Sequence, residues 1–461
     1  MDVTEIPRKD EEDFDLKKIQ TTPDHDDVFG EITEEGPNYR NVGLVGTVIL
    51  MMKTQIGLGV LSIPTAFDAL GMVPGVICLC VIAFIMTWTN YVIGTFKLKH
   101  REVYSIDDAG AIMFGHAGRA VLAIAFCLYW IFVVGSGILG LSIGLNAVSK
   151  HGTCTAVFTA VAAIVGFAFS SVRTLGRITW LAWVGLPCIL VAVMTVTIAV
   201  SFQDRPPNAP QDTAVWVSDF KVVASPSFTK AITAISSLVF AYSGTPGFFA
   251  IVSEMRNPRK YTTALVWCQS GVTAVYITVG CIVYYYCGSY VSSPALGSAG
   301  GEVKKIAYGF ALPGLIVTTT ICSHIPAKYI FVHLLRGTRH INKNTPTHWI
   351  TWLSCTFCIA VIAWIIASTV PVFDSLVSLI GALLGPLMSF QPMGCMWLYD
   401  NWSRREKRFW LVKTCWSGFI VLLGTFLMVA GTYGSIVSIM EAYAASGGSA
   451  AFSCGDNSNS S

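Results

Sequence analysis

Charge is what this chain has least of. Asp, Glu, Lys and Arg make up only 12% of its 461 residues, against 53% hydrophobic, and the mean hydropathy is +0.61. A soluble surface needs far more charge, so a water-soluble globule is excluded and a polytopic membrane protein is indicated. The formal net charge of +3 says little by itself, because the charges are unevenly spread; the lipid bilayer is the expected partner surface, and no nucleic acid is expected. Catalytic signatures are missing too. No HExxH or clustered acid–base set lies in the apolar runs, which argues against a membrane enzyme. There are fourteen cysteines, but no CxxC has a partner pair, and Cys355 and Cys358 fall inside an apolar run, so no metal site or other cofactor is expected. Most of the cysteines sit in apolar runs and act as small hydrophobes. Cys154, Cys287 and Cys454 come near the predicted outer face, where oxidation is open to them; the sequence does not say which of them pair. The start of the chain has no basic segment followed by an apolar one, so no cleaved signal peptide is expected.

Long apolar runs dominate what is there. About 20 such residues cross a bilayer core, and eleven runs qualify: 44–67, 72–96, 119–148, 154–172, 177–200, 228–254, 261–288, 306–334, 349–368, 374–399 and 408–438. Residues 1–40 hold nearly half the acidic groups, in runs such as Asp10-Glu11-Glu12-Asp13. They read as a disordered, solvated cytosolic tail, with partner binding as the lesser alternative. Residues 41–440 form the membrane domain and 441–461 an outer C-terminal tail. Basic residues set the orientation: with the N-terminus in the cytosol, inner loops carry seventeen Lys and Arg and outer loops six. Eleven spans then leave the C-terminus outside.

The first span is not a simple apolar rod. It contains Lys53-Thr54-Gln55-Ile56-Gly57-Leu58-Gly59-Val60-Leu61-Ser62-Ile63-Pro64, where glycines loosen the helix and Pro64 removes a backbone donor. Unwound backbone at membrane depth persists only when protein buries it or it lines a wet cavity. The sixth span breaks in the same way, at Phe240-Ala241-Tyr242-Ser243-Gly244-Thr245-Pro246-Gly247-Phe248. The breaks are five spans apart, an odd number, so a second unit of five runs with opposite topology. Paired breaks in inverted halves point to a secondary transporter with its site at the midplane; two ordinary Pro/Gly kinks are the plainer reading. The fold expected is therefore all-α, with eleven transmembrane helices in a five-plus-five inverted repeat and broken helices 1 and 6.

This geometry specifies a ligand. Half-helices beginning near Ser62 and Thr245 aim their positive ends at one volume. Amides near Gly59, Val60, Gly244 and Thr245 suit a carboxylate; carbonyls near Ile56, Gly57, Ala241 and Tyr242 suit an ammonium. An α-amino acid carries both groups, so the expected substrate-binding set is Ile56, Gly57, Leu58, Gly59, Val60, Ala241, Tyr242, Ser243, Gly244 and Thr245. No unpaired charge except Lys53 sits at mid-depth, which favours a neutral side chain. Tyr129, Trp130, Phe240 and Phe248 are candidates for an aromatic wall, or for plain packing.

Lys53 lies about nine residues, roughly 14 Å, into the first span, one turn from Gly57. Either its stem snorkels to the inner surface, or its ammonium stays within the protein, where desolvated lysines suit proton exchange. Thr318, Thr319, Thr320 and Ser323 bring hydroxyls to a comparable depth; such groups also cap backbone carbonyls. His324 is either a proton relay or structural. Glu254, beside Arg256 and Arg259, reads as an inner-gate ion pair or as a solvated carboxylate. Tyr129 and Glu254 are the gate candidates.

The stretch Lys53 to Pro64 resembles the first-helix motif of the amino acid/auxin permease family, in particular its proton-coupled members, whose motif begins with Lys and runs through Gly-x-Gly to Pro. Val103-Tyr104-Ser105-Ile106-Asp107-Asp108-Ala109-Gly110 through Phe114-Gly115-His116-Ala117-Gly118-Arg119 looks like the family's inner loop. Phe240-Ala241-Tyr242 through Ser253-Glu254-Met255-Arg256-Asn257-Pro258 looks like its sixth helix. The resemblance covers residues 40–440. It implies the eleven-helix inverted repeat and symport of neutral aliphatic and aromatic amino acids driven by the proton motive force. Sodium-coupled members have Asn where this chain has Lys53, so sodium is the lesser expectation, and Lys53, Thr319, Thr320 and Ser323 form the expected ion-coupling set. Thr245-Pro246-Gly247 replaces the family's usual His or Ala-rich run, so the resemblance does not extend to side-chain selectivity. The expected location is the plasma membrane. A vacuolar exporter of the same fold and a transporter-like nutrient receptor are the alternatives.

Overall fold

Helices follow the apolar runs, and they break where glycine and proline cluster. The structure, a computed structural model, describes residues 25–26, 30–31, 42–172, 175–210, 216–335, 338, 345–370, 372–403, 405, 409–445 and 452–458. Most of the predicted acidic tail lies outside these residues; within it, His25–Asp26 pairs antiparallel with Gly30–Glu31.

The first rod is α1 (Leu44–Gln55), a loosened stretch, a 3-10 turn at Gly59–Ser62 and α2 (Ile63–Leu70). Its halves are inclined by 42°. Pro64 sits in the first turn of α2, where a missing N–H costs nothing. There follow α3 (Met72–Lys99), α4 (Ile106–Ser149), α5 (Thr155–Ser170) and α6 (Leu175–Phe202). The second broken rod is α7 (Phe228–Tyr242) and α8 (Thr245–Glu254), with Pro246 in the first turn of α8. Then come α9 (Tyr261–Cys287), α10 (Gly301–Leu335), α11 (Pro346–Thr369), α12 (Phe373–Leu383), α13 (Gly385–Ser389), α14 (Gln391–Asn401) and α15 (Trp410–Ala445).

Eight of the described helices are long and apolar enough to cross a membrane, and two bent pairs raise the count to ten. The remaining expected span, residues 154–172, is α5. Its 16 residues rise about 24 Å, short of a core of about 30 Å. The third expected span, 119–148, lies in a helix that starts at Ile106, where Asp108 accepts the Ser105 amide at 3.3 Å; Gly115, at φ 66°, turns the chain before the long segment. One expectation needs correction. The tenth span was expected to be continuous, yet it bends by 50° between α12 and α13, where Pro386 follows Gly385.

Two packed groups result. α4, α5, α10 and α11 pack on one another, with α6 against α10; α1, α2, α3, α7 and α9 form the other set. α12 and α15 lie against α7. The helix ends on the side of the N-terminal segment are tied together. Val42 bridges to Met255, and its N–H donates to the Glu254 carbonyl. Lys97 donates to Val103 O and Ser253 Oγ. Lys99 and His100 meet Asp400 at 2.8 and 2.9 Å. On the far side a disulfide joins Cys154 to Cys454, which resolves the pairing left open by the sequence. Cys287 stays free and buried.

Candidate functional site

The two broken rods meet at their breaks. A Cβ at Gly59 would stand 2.5 Å from Ala241 Cα, so only glycine lets these backbones touch. A Cβ at Gly244 would stand 2.6 Å from Thr54 Oγ1 and 3.0 Å from Gln55 Cγ. Tyr276 of α9 clasps both rods: its hydroxyl lies 2.9 Å from Gln55 O and 2.8 Å from Ala241 O. One hydroxyl hydrogen is shared between two carbonyls freed by the breaks. Tyr129 of α4 donates to the Ser243 carbonyl, and the Gly244 amide donates to Tyr242 O at 2.9 Å. The carbonyls of Ala241 and Tyr242, expected to face an ammonium, are thus engaged within the protein.

A cavity of about 20 Å³ lies at this junction, room for roughly one water. Gly57, Leu58 and Gly59 of the expected substrate-binding set line it, with Gln55, Tyr129, Trp130 and Phe240. Ile56 and Val60 are fully buried beside it, and Phe248 is buried without lining it. None of the lining residues is charged. Three buried side chains here keep polar atoms with no partner among the described residues: both amide atoms of Gln55, the Trp130 indole N–H, and the Thr245 hydroxyl. Buried polar groups are nearly always satisfied, and leaving one bare costs about 1–3 kcal/mol. Gln55 and Trp130 line the uncharged cavity, and Thr245 starts the half-helix after the second break; together they mark a place for a polar ligand.

Lys53 does not snorkel. It is 2% exposed, and its ammonium donates to Thr318 Oγ1 at 2.6 Å and Gly314 O at 3.2 Å. A Cβ at Gly185 would meet its Cε at 3.0 Å, so α6 closes the third side. Lys53 makes no ion pair among the described residues. Thr319 and Thr320 turn elsewhere, bonded to Leu315 O at 2.9 Å and Ile316 O at 2.8 Å; the Thr319 hydroxyl lies against Gly137 of α4. Ser323 Oγ is buried and without a partner among the described residues. His324 stacks edge-on with Trp352 at 5.0 Å. Glu254 forms no ion pair with Arg256 or Arg259, and its Oε1 is buried. Neither the gate pair nor a fully solvated carboxylate is what the structure has there. A network on the same side of the molecule runs instead through Asp107, which accepts Tyr329 OH at 2.9 Å and lies 3.7 Å from Arg119 Nε.

Sequence reading missed Tyr276 and the role of Gln55. Tyr276 sits in an apolar run, where a tyrosine reads as packing. Gln55 lies inside the quoted motif and was legible as an amide in an apolar span.

Known proteins share this chain's family and its fold. The transmembrane amino acid transporter protein family matches residues 40–437. A transmembrane transporter of Fusarium pseudograminearum is 33% identical, covering 96% of this chain and 95% of its own. The N amino acid transport system protein of Neurospora crassa is 30% identical, covering 90% and 88%. Among solved structures, the nucleobase-cation-symport-1 family transporter Mhp1, closed with bromovinylhydantoin bound, superposes with TM-score 0.56 at 14% identity, over 93% of this chain and 99% of that one. MhsT in complex with L-phenylalanine gives 0.54 at 13%, over 86% and 98%. The fold is therefore that of membrane transporters, all-helical and with broken first and sixth rods. The chain belongs to the transmembrane amino acid transporter family, the amino acid/auxin permeases.

Proposed function

We propose that this protein is a secondary active symporter that imports neutral aliphatic and aromatic amino acids across the plasma membrane, coupled to protons. One observation carries this reading: an uncharged junction between two broken rods holds buried polar atoms of Gln55, Trp130 and Thr245 that lack partners among the described residues. The backbones of Ile56–Val60 and Ala241–Thr245, together with these side chains, bind the amino and carboxyl groups. Tyr129, Trp130 and Phe240 receive the apolar side chain. A charged side chain would meet no counter-charge in the lining. Lys53 carries the coupling, with Thr318 as its immediate partner; Ser323 is a further hydroxyl available on α10. Thr319 and Thr320 support the helix from its other faces.

The direction of transport rests on the orientation set by the basic loops, with a cytosolic N-terminus and the Cys154–Cys454 disulfide on the oxidising side. A cavity of about 20 Å³ is too small for an amino acid, so the rods must part for loading and release.

The test is radiolabelled uptake over a panel of amino acids, with pH and sodium varied independently. Neutral substrates accumulating down a proton gradient, without sodium, are expected. Sodium-dependent, pH-independent uptake would overturn the coupling. Failure to take up any amino acid would overturn the function, and a tagged chain confined to the vacuole would overturn the location.

A further inference from the structure

A second cavity, of about 390 Å³, opens on the disulfide side of the molecule. Its walls come from α4, α5, α11, α12 and α15, and residues of the C-terminal tail complete it. The tail is fastened on several sides. Cys454 is bonded to Cys154, the Phe452 amide donates to Ser368 O at 3.3 Å, and the Phe452 ring lies 5.2 Å from that of Trp364. Thr155 Oγ1 donates to Gly455 O at 2.6 Å, Asn146 Nδ2 donates to Asn457 Oδ1 at 2.6 Å, and Lys304 donates to Ser458 O at 2.5 Å. The tail thereby fixes itself to four helices, α4, α5, α10 and α11, that pack as one group, although it leaves from α15, which packs on α7 and α12.

The lining has two characters. Leu139, Ile143, Val372 and Phe373 make an apolar wall. Opposite in chemistry are Ser368, Asp456 and Asn457. Ser368 Oγ and Asn457 Nδ2 are buried and have no partner among the described residues, although the other end of the Asn457 amide is tied to α4. Two donors without acceptors suit a carboxylate, and the apolar wall suits an uncharged side chain; the negative charge of Asp456, whose Oδ1 accepts Ser458 N and Oγ at 2.8 and 2.7 Å, draws an ammonium to the same side. A thin partition separates this cavity from the junction of the rods. A Cβ at Gly140 would meet Leu58 Cδ2 at 3.4 Å and Phe373 Cε2 at 3.8 Å; Leu58 lines the inner cavity and Phe373 the outer one.

We propose that the outer cavity is a second binding site for neutral amino acids, an antechamber one side-chain layer above the central site, with the disulfide-held tail as its roof. This rests on the transport reading above. A solute enters beneath the roof and docks its carboxylate on Ser368 and Asn457. It passes inward when Phe373 and Leu58 separate.

The test uses the full chain in proteoliposomes, with radiolabelled L-leucine as probe and two variants. Ser368→Ala gives up no hydrogen bond made by the protein itself, so its fold is safe; C454S releases the roof. Loss of one hydrogen bond should raise KM for uptake roughly fivefold with the maximal rate unchanged, and C454S should raise it similarly. A membrane-impermeant phosphine reductant should reproduce the C454S effect in the wild type and do nothing further to C454S. Equilibrium binding should fall from two leucines per chain in the wild type to one in Ser368→Ala. One leucine per wild-type chain, or a KM unmoved in Ser368→Ala, overturns the antechamber while transport stands. If the wild type accumulates no amino acid at all, the transport reading falls and the antechamber with it.

Discussion

A buried ammonium with two neutral acceptors and no carboxylate is an expensive group to keep in a membrane. Lys53 gives its charge to Thr318 and the Gly314 carbonyl, an arrangement that tolerates the cation without locking it in an ion pair. Lys53→Met should therefore abolish pH-driven accumulation, by tenfold or more, while counterflow exchange of labelled for unlabelled substrate at equal pH on both sides persists. Equal loss in both assays would show that Lys53 is structural. Trp130→Phe keeps the ring and removes only the indole N–H; loss of one hydrogen bond to substrate should raise KM roughly fivefold at an unchanged maximal rate. An unaltered KM would remove Trp130 from the site. Lys53 was visible in the sequence because a lysine in an apolar run is anomalous. The choice among Thr318, Thr319 and Thr320 was not. Adjacent helical residues point about 100° apart, and which one faces Lys53 depends on the rotation of α10, which tertiary packing decides.

At the scale of elements, the breaks are where glycine and proline remove both rigidity and bulk. Gly59→Ala would drive a Cβ to 2.5 Å from the Ala241 backbone, where no side chain can yield. Overpacking of this kind costs about 1–3 kcal/mol, so Gly59→Ala should lower the melting temperature of the purified protein and abolish uptake. Gly43→Ala, which meets nothing within 4 Å, is the control, and matching behaviour of the two variants would refute the close approach. Tyr276→Phe strips the clasp from Gln55 O and Ala241 O and should cost about 1–3 kcal/mol for the bared acceptors, read in the same thermal assay. Both interrupted rods were legible because Gly-x-Gly and Gly-Thr-Pro contradict the apolar pattern around them. The bend between α12 and α13 had its signal too, Pro386 following Gly385. A lone Gly-Pro pair in a span looks the same whether neighbours straighten or exploit it.

For the molecule as a whole, the question is what holds shut the face that the basic loops assign to the cytosol, while the opposite face carries a cavity. Three ties cross the shut face: Val42 on Met255, Lys97 on Ser253, and the cluster around Asp107. Asp107 is 1% exposed. It is held by Ser105 and Tyr329, with Arg119 at 3.7 Å, and so joins the start of α4 to α10. Span order was readable from hydropathy, but this seal was not, because residues more than 150 apart in the chain compose each of its ties. Without Asp107 the Ser105 and Tyr329 hydroxyls lose their acceptor, although Arg119 keeps Asp108 at 2.6 Å, and the loss costs about 1–3 kcal/mol. Asp107→Ala should therefore weaken the closed inner face in particular. Cys322 supplies the reporter: it is native, buried, free and part of the central cavity lining. In inside-out vesicles, a membrane-impermeant maleimide should label Cys322 about tenfold faster in Asp107→Ala than in the wild type, with C322S as the blank. The same reagent applied from the outer side should show no increase. Equal rates from the inner side would mean that the Asp107 cluster only braces α4, and that closure depends on Val42 and Lys97.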